Sequence, residues 1–234
     1  MTERSTATMR RSTRTRLMTR QKLIDATRRI MMNRNPEAAT IADITEEADV
    51  GFGSFYNHFS SKQDILDAIY DSCSADFVAV ARDMISDESD VTRNISYLLR
   101  LVLCRSRADH LWARCMAKEL VASDTYSSDF SRLFRTQFSV GKQLGQIHFL
   151  NVERALRMVF ACLHGAIQDI LAHSRDQSFE DECIELSLRI IGISVMQAEV
   201  LASTPLPNQF ALVANEQSCQ NSSGMTDDQG GIRL

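Results

Sequence analysis

The chain predicts an all-α fold, and three observations carry that reading. Its three prolines are Pro36, Pro205 and Pro207, so residues 37–204 contain none. Nine glycines serve all 234 residues, whereas a β-sandwich or barrel needs far denser turn punctuation. Hydrophobic residues make up 44% and charged residues 24%, the balance of a globular chain with a sizeable core, which excludes fibrous and wholly disordered classes. The length fits one large domain or a small domain joined to a larger one.

The first helix is expected to start between Thr15 and Thr19 and to run to about Asn33. Leu23, Ile24, Thr27, Ile30 and Met31 give it an apolar stripe at three-to-four spacing. Asn35-Pro36 stops it. Thr40 is the N-cap of a very short second helix over residues 41–48, with Asp43 favoured at the positive end of its dipole. The Asp49-Val50-Gly51 break leads into a third short helix over residues 52–59, carrying Phe55, Tyr56 and Phe59. Ser60 and Gln63 form a capping-box pattern that opens a long helix to about Ile85. Two short helices around a tight turn, flanked by longer ones, make a helix-turn-helix.

Beyond it, five helices are expected over residues 91–106, 110–123, 127–147, 152–174 and 179–202. Asn151 caps the fourth of these, and Ser178 followed by three acidic residues caps the fifth. Val152, Leu156, Val159, Leu163, Ile167 and Ile170 form one stripe, with Phe160, Gly165 and Ala166 widening it. Ile184, Leu188, Ile191 and Val195 do the same in the last helix, beside Ile190, Gly192 and Ile193. Helices apolar on more than one face are buried on more than one side, and a subunit interface supplies the second side. The domain expectation is therefore a disordered basic arm over 1–14, a helix-turn-helix domain over 15–70, a helical domain with a dimerisation surface over 71–203, and a disordered tail over 204–234.

The net charge of -4 is unevenly distributed. Residues 1–34 hold ten basic and two acidic side chains, a segment of +8, and the rest of the chain is -12. That asymmetry suits a polyanion-binding element on an acidic body, with a solvated arm as the alternative. Six scattered cysteines with no C-x-x-C pair read as small core residues of a reducing cytoplasm. Arg10-Arg11 is followed by no apolar stretch of the kind an export signal requires. The longest uninterrupted apolar run, residues 158–163, is far short of the roughly 20 residues that span a bilayer. No metal or cofactor motif is present, and no nucleophile-and-base spacing points to an enzyme.

The stretch TIADITEEADVGFGSFYNHFSSK from Thr40 to Lys62, followed by QDIL, resembles the DNA-binding domain of TetR-family transcriptional repressors. It includes that family's aromatic-x-His-Phe at Tyr56 to Phe59 and the lysine that follows, Lys62. The resemblance implies a homodimer on a palindromic double-stranded operator, with a small-molecule effector acting on a divergent C-terminal domain. Asp49 stands where the family usually has Gly, and Ala42 where some members carry a base-reading basic residue. Independently of the resemblance, residues at the N-terminal end of a major-groove helix reach base edges. Base reading thus falls to Phe52, Gly53, Ser54 and Asn57, and backbone contact to Thr40, Tyr56, His58 and Lys62, the last in the first turn of its helix where a phosphate meets both ammonium and dipole. Phe55 and Phe59 are assigned to the core.

Half of the sixteen aromatic residues fall at Tyr97, Trp112, Tyr126, Phe130, Phe134, Phe138, Phe149 and Phe160. An aromatic-lined cavity there, around Trp112, Phe138, Phe160 and His164, would take an apolar or amphipathic effector. The alternative is an ordinary filled core with His164 hydrogen-bonded inside it, which leaves a constitutive or architectural DNA-binding protein.

Overall fold

A computed structural model describes residues 2–33, 39–85, 90–121, 128–208 and 210, with the backbone alone for 2–12 and 33. The described residues form helices and no strands. The order is α1 (Thr2–Asn33), α2 (Ile41–Glu47), α3 (Phe52–Phe55), α4 (Lys62–Met84), α5 (Val91–Ala108), α6 (His110–Glu119), α7 (Asp129–Gln143), α8 (Val152–Ala172), α9 (Gln177–Ile190) and α10 (Val195–Ser203). They divide into two compact units, Met1–Cys73 and Ser74–Leu234.

In the first unit the stripe of α1 is buried through Leu23, Thr27, Ile30 and Met31, and Ile44, Phe55, Phe59, Ile65 and Ile69 join it. The helical backbone of α1 begins at Thr2, not between Thr15 and Thr19. Residues 2–14 contain neither Pro nor Gly and include good helix formers such as Ala7, Met9 and Arg10, so nothing in them halts propagation. The expected stop at Asn35-Pro36 lies outside the described residues, as do Tyr126 and residues 211–234 of the expected tail. The cap of α4 is also displaced by one residue. Ser61 Oγ accepts from Asp64 N–H (3.1 Å) and Asp64 Oδ2 accepts from Ser60 N–H (2.8 Å). Gln63, expected to reach back, bonds Asp67 instead, because the shorter carboxylate of Asp64 already holds that position.

The second unit is built around α5, which buries residues on all sides, among them Ile95, Leu98, Leu99, Val102, Leu103 and two arginines. Arg100 is 2% exposed and meets Asp181 of α9 at 2.7 Å. Beside that pair, fully buried Glu180 takes Arg107 Nε at 2.8 Å and the Cys104 thiol at 3.3 Å. Desolvation raises the Glu180 carboxyl above its ordinary value against the pull of Arg107. Burial, then the neighbouring Glu180, push the Cys104 thiol up to about 12. Burial likewise lifts Cys183, on α9, to about 11.

Leu156, Val159, Leu163, Ile167 and Ile170 of α8 are buried as their spacing predicts, and Asn151 caps the helix by accepting from Arg154 N–H (3.0 Å). Among the described residues α8 alone is long and apolar enough to cross a membrane by length and composition. Its apolar surface is divided between the buried stripe and an outer face carrying exposed Met158, Ala161 and Gly165.

The last expected helix, residues 179–202, is two helices. Gly192 adopts φ +83°, and the chain turns there so closely that a Cβ would press on the His148 carbonyl oxygen and lie 2.9 Å from its Cβ. His148 N–H donates to Ile191 C=O at 2.8 Å across the same contact. Ser194 then caps α10. At the other end, α9 is capped by Asp176 rather than Ser178, Asp176 Oδ1 accepting from Phe179 N–H at 3.1 Å. Likewise α7 stops at Gln143, where Gly145 (φ +70°) reverses the chain before the expected end at 147.

Candidate nucleic-acid interface

Thr40 fixes the start of α2 by a reciprocal cap. Its Oγ1 accepts from Asp43 N–H at 3.1 Å while its own N–H donates to Asp43 Oδ2 at 2.8 Å. The hydroxyl also donates to that carboxylate (2.9 Å), so Thr40 is exposed but occupied by its own helix. After Ala48, Asp49 takes φ +52°, the left-handed conformation that short polar side chains tolerate. Val50 N–H closes the turn on Thr45 C=O at 3.0 Å.

This turn aims α3 outward. Phe55 and Phe59 pack inward with ring centres 5.8 Å apart. Phe52, Gly53, Tyr56 and Asn57, at spacings of one, three and one, fall on the opposite side and are exposed. Phe52 and Tyr56 brace each other edge to face at 5.8 Å, and Tyr56 rests on Phe55 at 5.5 Å. Ser54 is half-buried, its N–H donating to Gly51 C=O at 2.8 Å. The helix itself closes at Phe55 and residues 56–58 continue as a turn, shorter than the expected 52–59. Lys62 is half-buried and donates from Nζ to Ala39 C=O (3.1 Å), which ties the start of α4 to the entry of α2.

Two side chains not singled out from sequence approach this surface. Arg16 Nη2 lies 3.5 Å from the Asn57 carbonyl, and the Arg20 guanidinium sits 5.0 Å from the centre of the Phe59 ring. Partial burial first, then the fields of Arg16 and Arg20, hold the His58 imidazole below its ordinary pKa. The signal that would have found them is periodicity. Arg16 and Arg20 continue, four residues at a time, the stripe that buries Leu23, Ile24 and Thr27.

In the second unit Trp112 stacks on Phe77 (5.8 Å, 29°), and Phe77, Phe130, Phe134 and Phe160 form a chain of ring contacts at 5.1 to 5.5 Å. Arg105, itself buried, places its guanidinium 5.0 Å from the Trp112 ring centre. One turn after Phe160, His164 meets Ala117 C=O through Nδ1 at 2.9 Å. Phe77 comes from α4, Trp112 from α6, Phe130 and Phe134 from α7, and Phe160 and His164 from α8. Phe138 pairs instead with Phe149 at 5.8 Å, so the structure does not bring it into ring contact with the other three expected ligand residues.

Residues 23–69 match the family model described as bacterial regulatory proteins, tetR family. No curated protein is matched by the sequence. Among solved structures, RolR in complex with resorcinol is similar with a TM-score of 0.65 and 24% identity, over 84% of this chain and 98% of that one. RolR without ligand gives 0.61 and 26%, over 80% and 98%. The regulator FadR from Bacillus subtilis in complex with stearoyl-CoA gives 0.60 and 18%, over 78% and 97%.

Proposed function

The chain is a regulator of the TetR family, and from that premise we propose that it is a homodimeric repressor, bound to a near-palindromic operator and released by a small apolar or amphipathic effector. The observation that carries the DNA reading is the outward face of α3, where Phe52, Gly53, Tyr56 and Asn57 stand exposed above a core fixed by Phe55 and Phe59. Side chains on such a face meet base edges in the major groove, Phe52 a thymine methyl and Asn57 a base edge or phosphate. Ser54, His58, Thr40 and Lys62 complete the footprint on bases and backbone, Lys62 from the first turn of α4.

The dimer reading rests on apolar surface that a single chain leaves open. Leu186 and Ile190 of α9 and Met196 and Val200 of α10 are exposed, as is Met158 of α8. A groove of about 470 Å3 lined by Ala161, Gly165, Ala166 and Phe179 runs between α8 and α9. A second copy, docking by two-fold symmetry, buries the same patch on both sides.

The effector reading is supported by the aromatic group of Trp112 and Phe160 with His164 one turn on, and by the ligands of two neighbours, resorcinol and stearoyl-CoA. The alternative is a regulator with no effector, and one observation favours it: Phe77, Trp112, Phe130, Phe134 and Phe160 are each no more than 1% exposed and in mutual contact, as in a filled core. Selection from a random duplex library with the purified protein tests the DNA reading, and a recovered inverted repeat is expected. Recovery of no enriched sequence would refute it. Calorimetric titration of resorcinol and of an acyl-CoA, with and without the selected duplex, tests release, which requires weaker effector binding in the presence of DNA.

A further inference from the structure

Among the described residues, Arg16 and Arg20 have no carboxylate partner within ion-pair distance, unlike Arg29 on the same helix, which is paired with Glu47 at 2.7 Å. Both are exposed, yet neither is randomly placed. The continuation of the α1 stripe points them at the turn that follows α3, where Arg16 approaches the Asn57 carbonyl and Arg20 covers the Phe59 ring. At 3.5 Å the Arg16 contact is at the outer limit of a hydrogen bond, and a ring face satisfies none of the Arg20 donors. The result is two forked, unneutralised donor groups held against the end of the recognition helix by weak contacts. Beside partial burial, the fields of Arg16 and Arg20 hold the His58 imidazole below its ordinary pKa, which places both cations near it.

We propose that Arg16 and Arg20 form a phosphate clamp that grips the DNA backbone at the flank of each half-site, adding to the footprint of α3 a contact that begins on α1. A guanidinium fork fits a phosphodiester through two parallel N–H donors. The Arg20 ring contact and the Asn57 carbonyl set the direction of the two forks before DNA arrives, which lowers the ordering cost of binding. Such contacts fix register without reading sequence, so their effect is the same on any duplex. The clamp rests on the DNA reading given above.

The experiment measures affinity for the selected duplex, and for a scrambled duplex of the same length, across a salt series, with wild type and the Arg16→Gln/Arg20→Gln double variant. Each lost phosphate contact lowers the slope of log affinity against log salt by about 0.9. With two arginines in each of two subunits, the double variant is expected to lose roughly 3.6 units of slope on both duplexes, with an unchanged melting temperature. An unchanged slope in a folded double variant overturns the clamp. So does a loss confined to the selected sequence, which would make the arginines base readers. If the double variant does not fold, the single variants Arg16→Gln and Arg20→Gln decide, each with an expected loss of about 1.8, one contact per subunit, and with no loss in either as the overturning result. Failure of the wild type to retain any duplex would instead refute the DNA reading itself, so the two failures are distinct.

Discussion

Gly192 is the position at which the structure makes its sharpest demand on residue type. Replacing it by alanine forces an L side chain into φ +83°, at roughly 1 to 2 kcal/mol. It also drives a Cβ into the His148 carbonyl and to 2.9 Å from the His148 Cβ. The segment must shift, which endangers the 2.8 Å bond from His148 N–H to Ile191 C=O and adds about 1 to 2 kcal/mol. The expected loss is therefore about 2 to 4 kcal/mol, or roughly 4 to 16 °C in melting temperature for a chain of this size. Gly145→Ala is the internal control, because Gly145 has φ +70° but open space around an added Cβ. It should lose only the conformational part. Urea unfolding of both variants beside wild type gives the comparison. Equal losses in the two variants, or a Gly192→Ala loss under about 0.5 kcal/mol, would refute the assignment of a close approach at His148.

Three further outcomes are expected. Lys62→Ala should weaken binding on every duplex and reduce the salt slope by about 1.8 units, one contact from each subunit; a slope equal to wild type in filter binding would leave Lys62 a structural role, as in its bond to Ala39. Gly165→Arg, at a site where the single chain leaves the added side chain free space, should leave the protomer folded but monomeric in sedimentation, with operator affinity lost. A variant that still sediments as a dimer would remove Gly165 from the interface. Trp112 is the only tryptophan, so effector binding should change its fluorescence, and Phe160→Ala should abolish the change while Phe138→Ala, outside the Trp112 ring cluster, has a smaller effect. Equal effects of the two would place the site elsewhere.

Much of the first unit was legible in sequence because its signals are local. The Thr40 cap, the left-handed Asp49 and the inward Phe55 and Phe59 each depend on residues within about ten positions. Local reading failed where two chemistries compete over the same short span. Asp64, not Gln63, holds the cap of α4, and Asp176, not Ser178, that of α9, since a carboxylate one or two residues away outcompetes the residue that matches the pattern. The interior of α5 is not legible locally. Nothing near Arg100 and Arg105 marks them as interior, and only Asp181, eighty-one positions later, and the Trp112 ring reveal it. The α9–α10 break was hidden for a related reason: Gly192 looks like one more small residue on an apolar face until His148 is placed against it. Arg16 and Arg20 were visible as charge but not as position, because the stripe they extend was read as apolar only and therefore ended at Leu23.

The raised thiols bear on how this protein can meet reactive small molecules. The thiolate, not the thiol, attacks an electrophile. Burial and the neighbouring Glu180 make the Cys104 thiol ionise far less readily than an ordinary cysteine at neutral pH, and burial does the same to Cys183. Quinones, enals and other soft alkylating agents that reach these two helices therefore meet sulfur in its inert form. Cys104 is half-buried and donates to Glu180, so parting of α5 from α9 removes the carboxylate that holds its proton, and its labelling rate should rise in mild denaturant as that seam opens.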